Sequence, residues 1–168
     1  VDDCKRVDEP PDIFSQKQGP CAWNLVGFPV FWNWWIVEEE MSLKDPKQIV
    51  LLFNMHINNR DIDSLAAMMT EDHTFIDSSD EVHAGKEMMV AGWKDFFEAY
   101  PDYRNHFEEV ESRGDLVLVI GHSTCSFEAL DGPALWTAKV AGELVQEWRV
   151  YLDTAENREM LELPPKGR

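Results

Sequence analysis

The sequence predicts an α+β fold: a cone-shaped, curved antiparallel sheet with three N-terminal helices packed on one face and a short C-terminal helix. Three observations predict it. Apolar residues recur at helical spacing in runs around Ile49, Leu65 and Trp93. From Tyr103 to Leu152 the pattern changes to extended segments rich in Val and Ile, separated by turn signals. Helices therefore come first and a meander follows, an order that lays helices against one face of a curved sheet.

The stretch Asp45–Asp77 organises the rest. Asp45 is placed to cap a helix, with Pro46 at its first position and Gln48 completing a capping-box pattern. Ile49, Leu52, Phe53 and Ile57 make one apolar face, and Asn58 and Asn59 suit a helix end. Ile62, Leu65, Ala66 and Met69 form a second, shorter stripe. His73 to Ile76 reads as a strand that delivers the carboxylate of Asp77 at its end. Ser78 to His83 reads as a polar turn region. A third helix follows Gly85, with Met88, Met89, Trp93, Phe96 and Phe97 on its buried side, and Pro101-Asp102 ends it. Four strands come next: Tyr103–Ser112, Leu116–Phe127, Ala134–Val140 and Leu144–Leu152. Turns at Arg113-Gly114-Asp115, Leu130–Pro133 and Ala141–Glu143 separate them. Asp153 to Leu161 closes the fold as a short helix, and residues 164–168 form a tail.

Composition narrows the function classes. The chain has 168 residues, enough for one domain with a full core. Apolar content of 44% is that of a globular protein. A net charge of -17, from 32 acidic and 15 basic residues, argues against nucleic acid or an anionic membrane as partner, since both require basic patches. Cys4, Cys21 and Cys125 have no metal-ligand spacing and are odd in number, so a reduced, cytoplasmic setting is expected. The five histidines show no pair at H-x-x-x-H or H-x-H spacing, so no metal is expected. There is no phosphate-cradling loop and no nucleophile elbow.

Residues 1–40 are a different kind of sequence. They hold four of the seven Trp, two of the three Cys, and Pro10, Pro11, Pro20 and Pro29. No period persists in them. Leu25–Val37 is an apolar run too short to span a bilayer. Two readings stand. In one, Met41 is the natural start and the forty residues are upstream sequence. In the other they are an arm whose Trp rings are buried on the domain or a partner subunit.

Four stretches carry a family resemblance: NNRDIDSLAAMMTEDHTFID, HAGKEMM, YPDYRNHFEEVESRGDLVLV and GELVQEWRVYLD. In this order and spacing they resemble the nuclear transport factor 2-like superfamily, and within it the SnoaL-like polyketide cyclases, ketosteroid isomerases and limonene-epoxide hydrolases. The resemblance covers residues 41–163. It implies an apolar pocket between helices and sheet for a small hydrophobic molecule, with no cofactor, and a homodimer through the outer sheet face. The homodimer also follows from apolar residues on both faces of the second meander strand: Leu116, Leu118 and Ile120 on one, Val117 and Val119 on the other.

The superfamily hosts enzymes and binding modules alike, so function rests on the site. Asp77 falls where the isomerases place a general base, and a carboxylate in an apolar cavity is nearer to useful base strength. The other reading of Asp77 is a cap for the turn at Ser78-Ser79. The isomerase oxyanion Tyr falls on Phe53, which has no hydroxyl. The epoxide-hydrolase acid and base set falls on Gly121, Ser123 and Val150. The cyclase His falls near Ser123, with His122 adjacent; His122 is read as an outer-face residue. Trp148 matches a pocket-facing aromatic, and strand alternation puts Gln146 on its face. Tyr103 and Trp93 complete the expected ligand-binding set. If the protein is an enzyme, Asp77 is the base of an isomerase- or cyclase-type proton transfer, with Trp148 and Gln146 orienting the substrate. The alternative is a non-catalytic ligand-binding or dimerisation module.

Overall fold

A computed structural model describes residues 45–166. The expected arm at 1–40 and the start at Met41 lie outside the described residues. Helix α1 (Pro46–Asn59) begins as its sequence requires: Asp45 Oδ1 accepts the Lys47 amide at 3.0 Å, and Pro46 occupies the first turn. Its end differs from expectation. Arg60, not an Asn, takes the left-handed conformation (φ 57°). Asn58 instead ties the helix to the sheet: its Nδ2 donates to the Asn105 carbonyl and its Oδ1 accepts the Asn105 amide, both at 2.8 Å. Helix α2 (Ile62–Ala67) is capped by Asp61 through the Ser64 amide.

Strand β1 (Met69–Ile76) starts four residues earlier than its β-branched residues suggest. A strand that the sequence reading missed follows it: Val82–Ala84, β2, which closes a hairpin on β1 around the turn at 77–81. Helix α3 (Lys86–Ala99) buries Met89, Trp93 and Phe97, whereas Met88 is exposed. The meander comprises β3 (Arg104–Arg113), β4 (Leu116–Thr124), β5 (Gly132–Ala141) and β6 (Leu144–Leu152), with a short 3-10 turn at Glu128–Leu130. Helix α4 (Ala155–Met160) ends the fold.

The sheet order is β2-β1-β6-β5-β4-β3. It is antiparallel at every junction but one. Strand β1 lies parallel to β6, because the chain returns from the meander to the side of the first strand. Val117, Val119, Trp136, Ala138 and Trp148 join Ile49, Phe53 and Trp93 of the helices in a single core cluster. Leu118, Ile120 and Leu135, on the opposite face by alternation, are also buried.

Two register shifts shape the sheet. Between Phe107 and Glu109 β3 carries an extra residue opposite β4. There Gly121 meets the opposing backbone so closely that a Cβ would lie 2.0 Å from the His106 carbonyl oxygen. In β6 the register passes from Val145 to Glu147 against consecutive residues of β5, so Gln146 is the extra residue of a bulge. No helix among the described residues is long and apolar enough to cross a membrane.

Candidate functional site

The β1–β2 hairpin builds the polar side of the site. Phe75 pairs with His83, and Ile76 with Val82. Side chains alternate along a strand, so Phe75, Asp77 and His83 share one face of the hairpin. That face closes one side of a cavity of about 420 Å³, within the ordinary range for small-molecule sites. Helix α3 supplies a second wall with Met88, Met89, Trp93 and Phe96. Trp148 and Val150 of β6, with Tyr103 and Leu130, complete it.

Asp77 has both roles open to it. Its Oδ1 accepts the amides of Ser79 (2.8 Å) and Glu81 (3.0 Å), so the carboxylate holds the turn. It also lines the cavity, with Ser78 beside it. Its Oδ2 forms no hydrogen bond among the described residues. The fixed turn thus positions a carboxylate with one oxygen engaged.

Tyr103 and Trp93 lie on the cavity wall, as the sequence suggested. Burial pushes the Tyr103 phenol up to about 12, with the neighbouring Ser123 and Asn105 side chains acting the other way. The ring packs edge-on against Phe96 at 5.0 Å. Trp93 is buried against Phe75, Phe96 and Phe97, and its indole N–H has no acceptor among the described residues. Trp148 is 1% exposed and still contributes to the wall.

The other expected ligand-binding residues fall elsewhere. Phe53 lies behind Trp148, ring centroids 5.2 Å apart, within the core cluster and not on the cavity wall. Ser123 donates to the Leu130 carbonyl at 2.8 Å and is not on the cavity wall. Gln146 is a correction: the bulge breaks the alternation that placed it beside Trp148, and its amide donates to Asp72 Oδ2 at 3.0 Å instead. His122 is on the outer side, as read. Its Nδ1 lies 2.9 Å from Glu108 and its ring stacks on His106 at 4.7 Å.

His83 is the residue that the sequence reading passed over. It has no histidine at metal spacing, and its strand was read as turn. The hairpin register is what brings it to the cavity. Its ring stacks on Phe75 with centroids 6.0 Å apart. One ring nitrogen of His83 and carboxylate oxygens of Asp77 and Glu81 lie within 4.8 Å of one another. These three residues form the one set among the described residues with donor atoms close enough to share a cation.

Comparison with known proteins agrees with this architecture. The model of the SnoaL-like domain family matches residues 50–153. No curated protein matches the chain. Among solved structures, a protein from Sinorhizobium meliloti provisionally assigned as a polyketide cyclase is 18% identical, with a TM-score of 0.56, over 61% of this chain and 92% of its own. One from Kribbella flavida, provisionally assigned as a ketosteroid isomerase, is 18% identical, with a TM-score of 0.57, over 76% and 88%. An LEH-like epoxide hydrolase from M. tuberculosis is 14% identical, with a TM-score of 0.58, over 67% and 85%. At such identities these structures share a fold with the chain, and the sequence match gives the family. The chain belongs to the SnoaL-like domain family.

Proposed function

We propose that the cavity takes a small, largely apolar molecule with one enolisable carbonyl group, and that Asp77 removes the proton beside that carbonyl, as in an isomerase or cyclase. One observation carries the reading. Among the described residues, Asp77 is the only carboxylate on a wall otherwise made mostly of Phe, Trp, Met and Val. Asp77 is half-buried at the edge of that wall, where an entering ligand meets it. A general base must come within hydrogen-bond reach of the proton it takes. The two amides on Oδ1 fix the carboxylate, and Oδ2 is left to accept that proton. The names of the similar structures, a cyclase and an isomerase among them, belong to the same reaction class and support the reading by analogy of fold.

A second reading, a binding module without catalysis, draws on those same amide bonds, because they give Asp77 a purely structural task. The two are separated with β-tetralone, a bicyclic aryl ketone with acidic α-protons. The protein is mixed with it in heavy water, and loss of the α-proton signal is followed by NMR. A proton-transfer enzyme accelerates exchange above the buffer rate, and Asp77→Asn returns it to that rate without abolishing binding. Binding with exchange at the buffer rate in the unaltered protein sinks the enzyme reading and leaves the binding module.

A further inference from the structure

We propose that His83 is a proton relay between Asp77 and solvent, passing on each proton that Asp77 takes from the ligand. The inference rests on the proton-transfer reading above and adds a residue to it. The geometry is specific to the hairpin. Phe75 and His83 are register partners, which puts the imidazole on the cavity wall within 4.8 Å of the Asp77 carboxylate. The Phe75 ring holds the imidazole plane by stacking. No direct hydrogen bond joins the two side chains among the described residues, and one bridging water can connect groups at such a separation. An imidazole can accept a proton at one ring nitrogen and release one from the other.

The steps balance. The ligand's C–H bond breaks, its proton goes to Asp77 Oδ2, and its electron pair forms the enolate. The Asp77 proton crosses the bridging water to one ring nitrogen of His83. The other ring nitrogen releases a proton to solvent. In heavy water the reverse path returns a deuteron to the same carbon, so each cycle replaces one α-proton without net change in the ketone.

The test uses the full chain with β-tetralone in heavy water containing EDTA, which removes any cation from the Asp77, Glu81 and His83 set. His83→Gln keeps a polar side chain that cannot relay a proton. His83→Phe keeps the ring on Phe75. Both variants are expected to slow exchange at least about tenfold at low buffer concentration, the lower side of what positioned proton transfer contributes. Added imidazole is expected to restore the rate in both, whereas the unaltered protein is insensitive to it. A residue that only packs on Phe75 gives no such rescue, and His83→Phe then exchanges like the unaltered protein. Exchange in His83→Gln equal to that of the unaltered protein, with Asp77→Asn inactive, overturns the relay and leaves Asp77 as the base. Exchange at the buffer rate in the unaltered protein overturns both.

Discussion

The Nδ1 of His73 lies 2.7 Å from the carbonyl oxygen of Val145. That oxygen can only accept, so Nδ1 carries a proton and donates it there, which in the neutral ring leaves Nε2 bare. His73 is fully buried, packs on Phe53 at 5.9 Å, and its Nε2 has no partner among the described residues. Burial holds it below the ordinary His range, against the opposing pull of the Val145 carbonyl and Asp72.

The sign of the pH effect follows. With the folded-state value depressed, the unfolded chain binds a proton at His73 before the folded one does. Stability is fully present above about 6.5 and is lost as pH falls from there toward the lower folded-state value. Urea unfolding is therefore expected to give a lower midpoint at pH 5.5 than at pH 7.5. His73→Gln is expected to flatten that difference, whatever its effect on stability itself. A slope unchanged by the substitution places the acid sensitivity elsewhere.

Gly121 is expected to resist even the smallest side chain. Its Cβ position lies 2.0 Å from backbone oxygen, which cannot rotate away. Gly121→Ala forces the β3 bulge to open, so a loss of several kcal/mol is expected, on the order of the exceptional class for point mutations. Thermal melting within a degree or two of the unaltered protein shows that the strands separate there without cost.

Asp153 and Arg158 form a bidentate pair, with side-chain exposures of 3% and 8%. Arg158 also reaches the Pro164 carbonyl at 2.8 Å, so the pair ties α4 and the tail to the end of β6. The guanidinium holds the Asp153 carboxyl below the ordinary Asp range. Lys166 also pairs with Asp153, at 3.0 Å, so Arg158→Met leaves the buried carboxylate with one cation of two; it is expected to cost about 1–3 kcal/mol in chemical denaturation, below the loss of a sole partner. Arg158→Lys keeps the charge but not the fork, and is expected to recover only part of it.

Trp148 and Gln146 test the bulge. Trp148 is core and cavity wall together, so Trp148→Ala is expected to cost about 3–5 kcal/mol and to weaken ligand binding. Gln146 bonds Asp72 away from the cavity, so Gln146→Ala is expected to leave β-tetralone affinity unchanged in an NMR titration. A large loss of affinity in Gln146→Ala returns that side chain to the cavity.

These residues show what could be read in advance and what could not. Helix α1 was legible because its cap and apolar face are local, and the meander was legible because Gly114 and Gly142 sit in turns at positive φ. Trp93, Tyr103, Trp148 and Asp77 line the cavity because each keeps its place by alternation or helical spacing. Gln146 was misplaced because one inserted residue in β6 reverses the alternation, and nothing in GELVQEWRV marks the insertion. His83 was missed for a similar reason. Its strand is three residues long and begins directly after a polar turn, so only its register against Phe75 reveals the face it joins.

Asp77 can be separated into its two tasks by two substitutions. The turn uses Oδ1 as acceptor for the Ser79 and Glu81 amides. Asn offers an equivalent acceptor and tolerates the same turn, so Asp77→Asn is expected to melt within about 0.5 kcal/mol of the unaltered protein. Ala offers none. Asp77→Ala leaves both amides without their partner and is expected to cost about 1 kcal/mol, the net worth of ordinary hydrogen bonds near a surface. Chemistry divides the pair differently. Neither Asn nor Ala accepts a proton at neutral pH, so both are expected to lose the β-tetralone exchange, by roughly 10²–10⁴ where a general base is removed. A base that is also a turn residue gives one stable inactive variant and one destabilised inactive variant. A turn residue alone gives a stable Asp77→Asn protein whose exchange rate equals that of the unaltered chain.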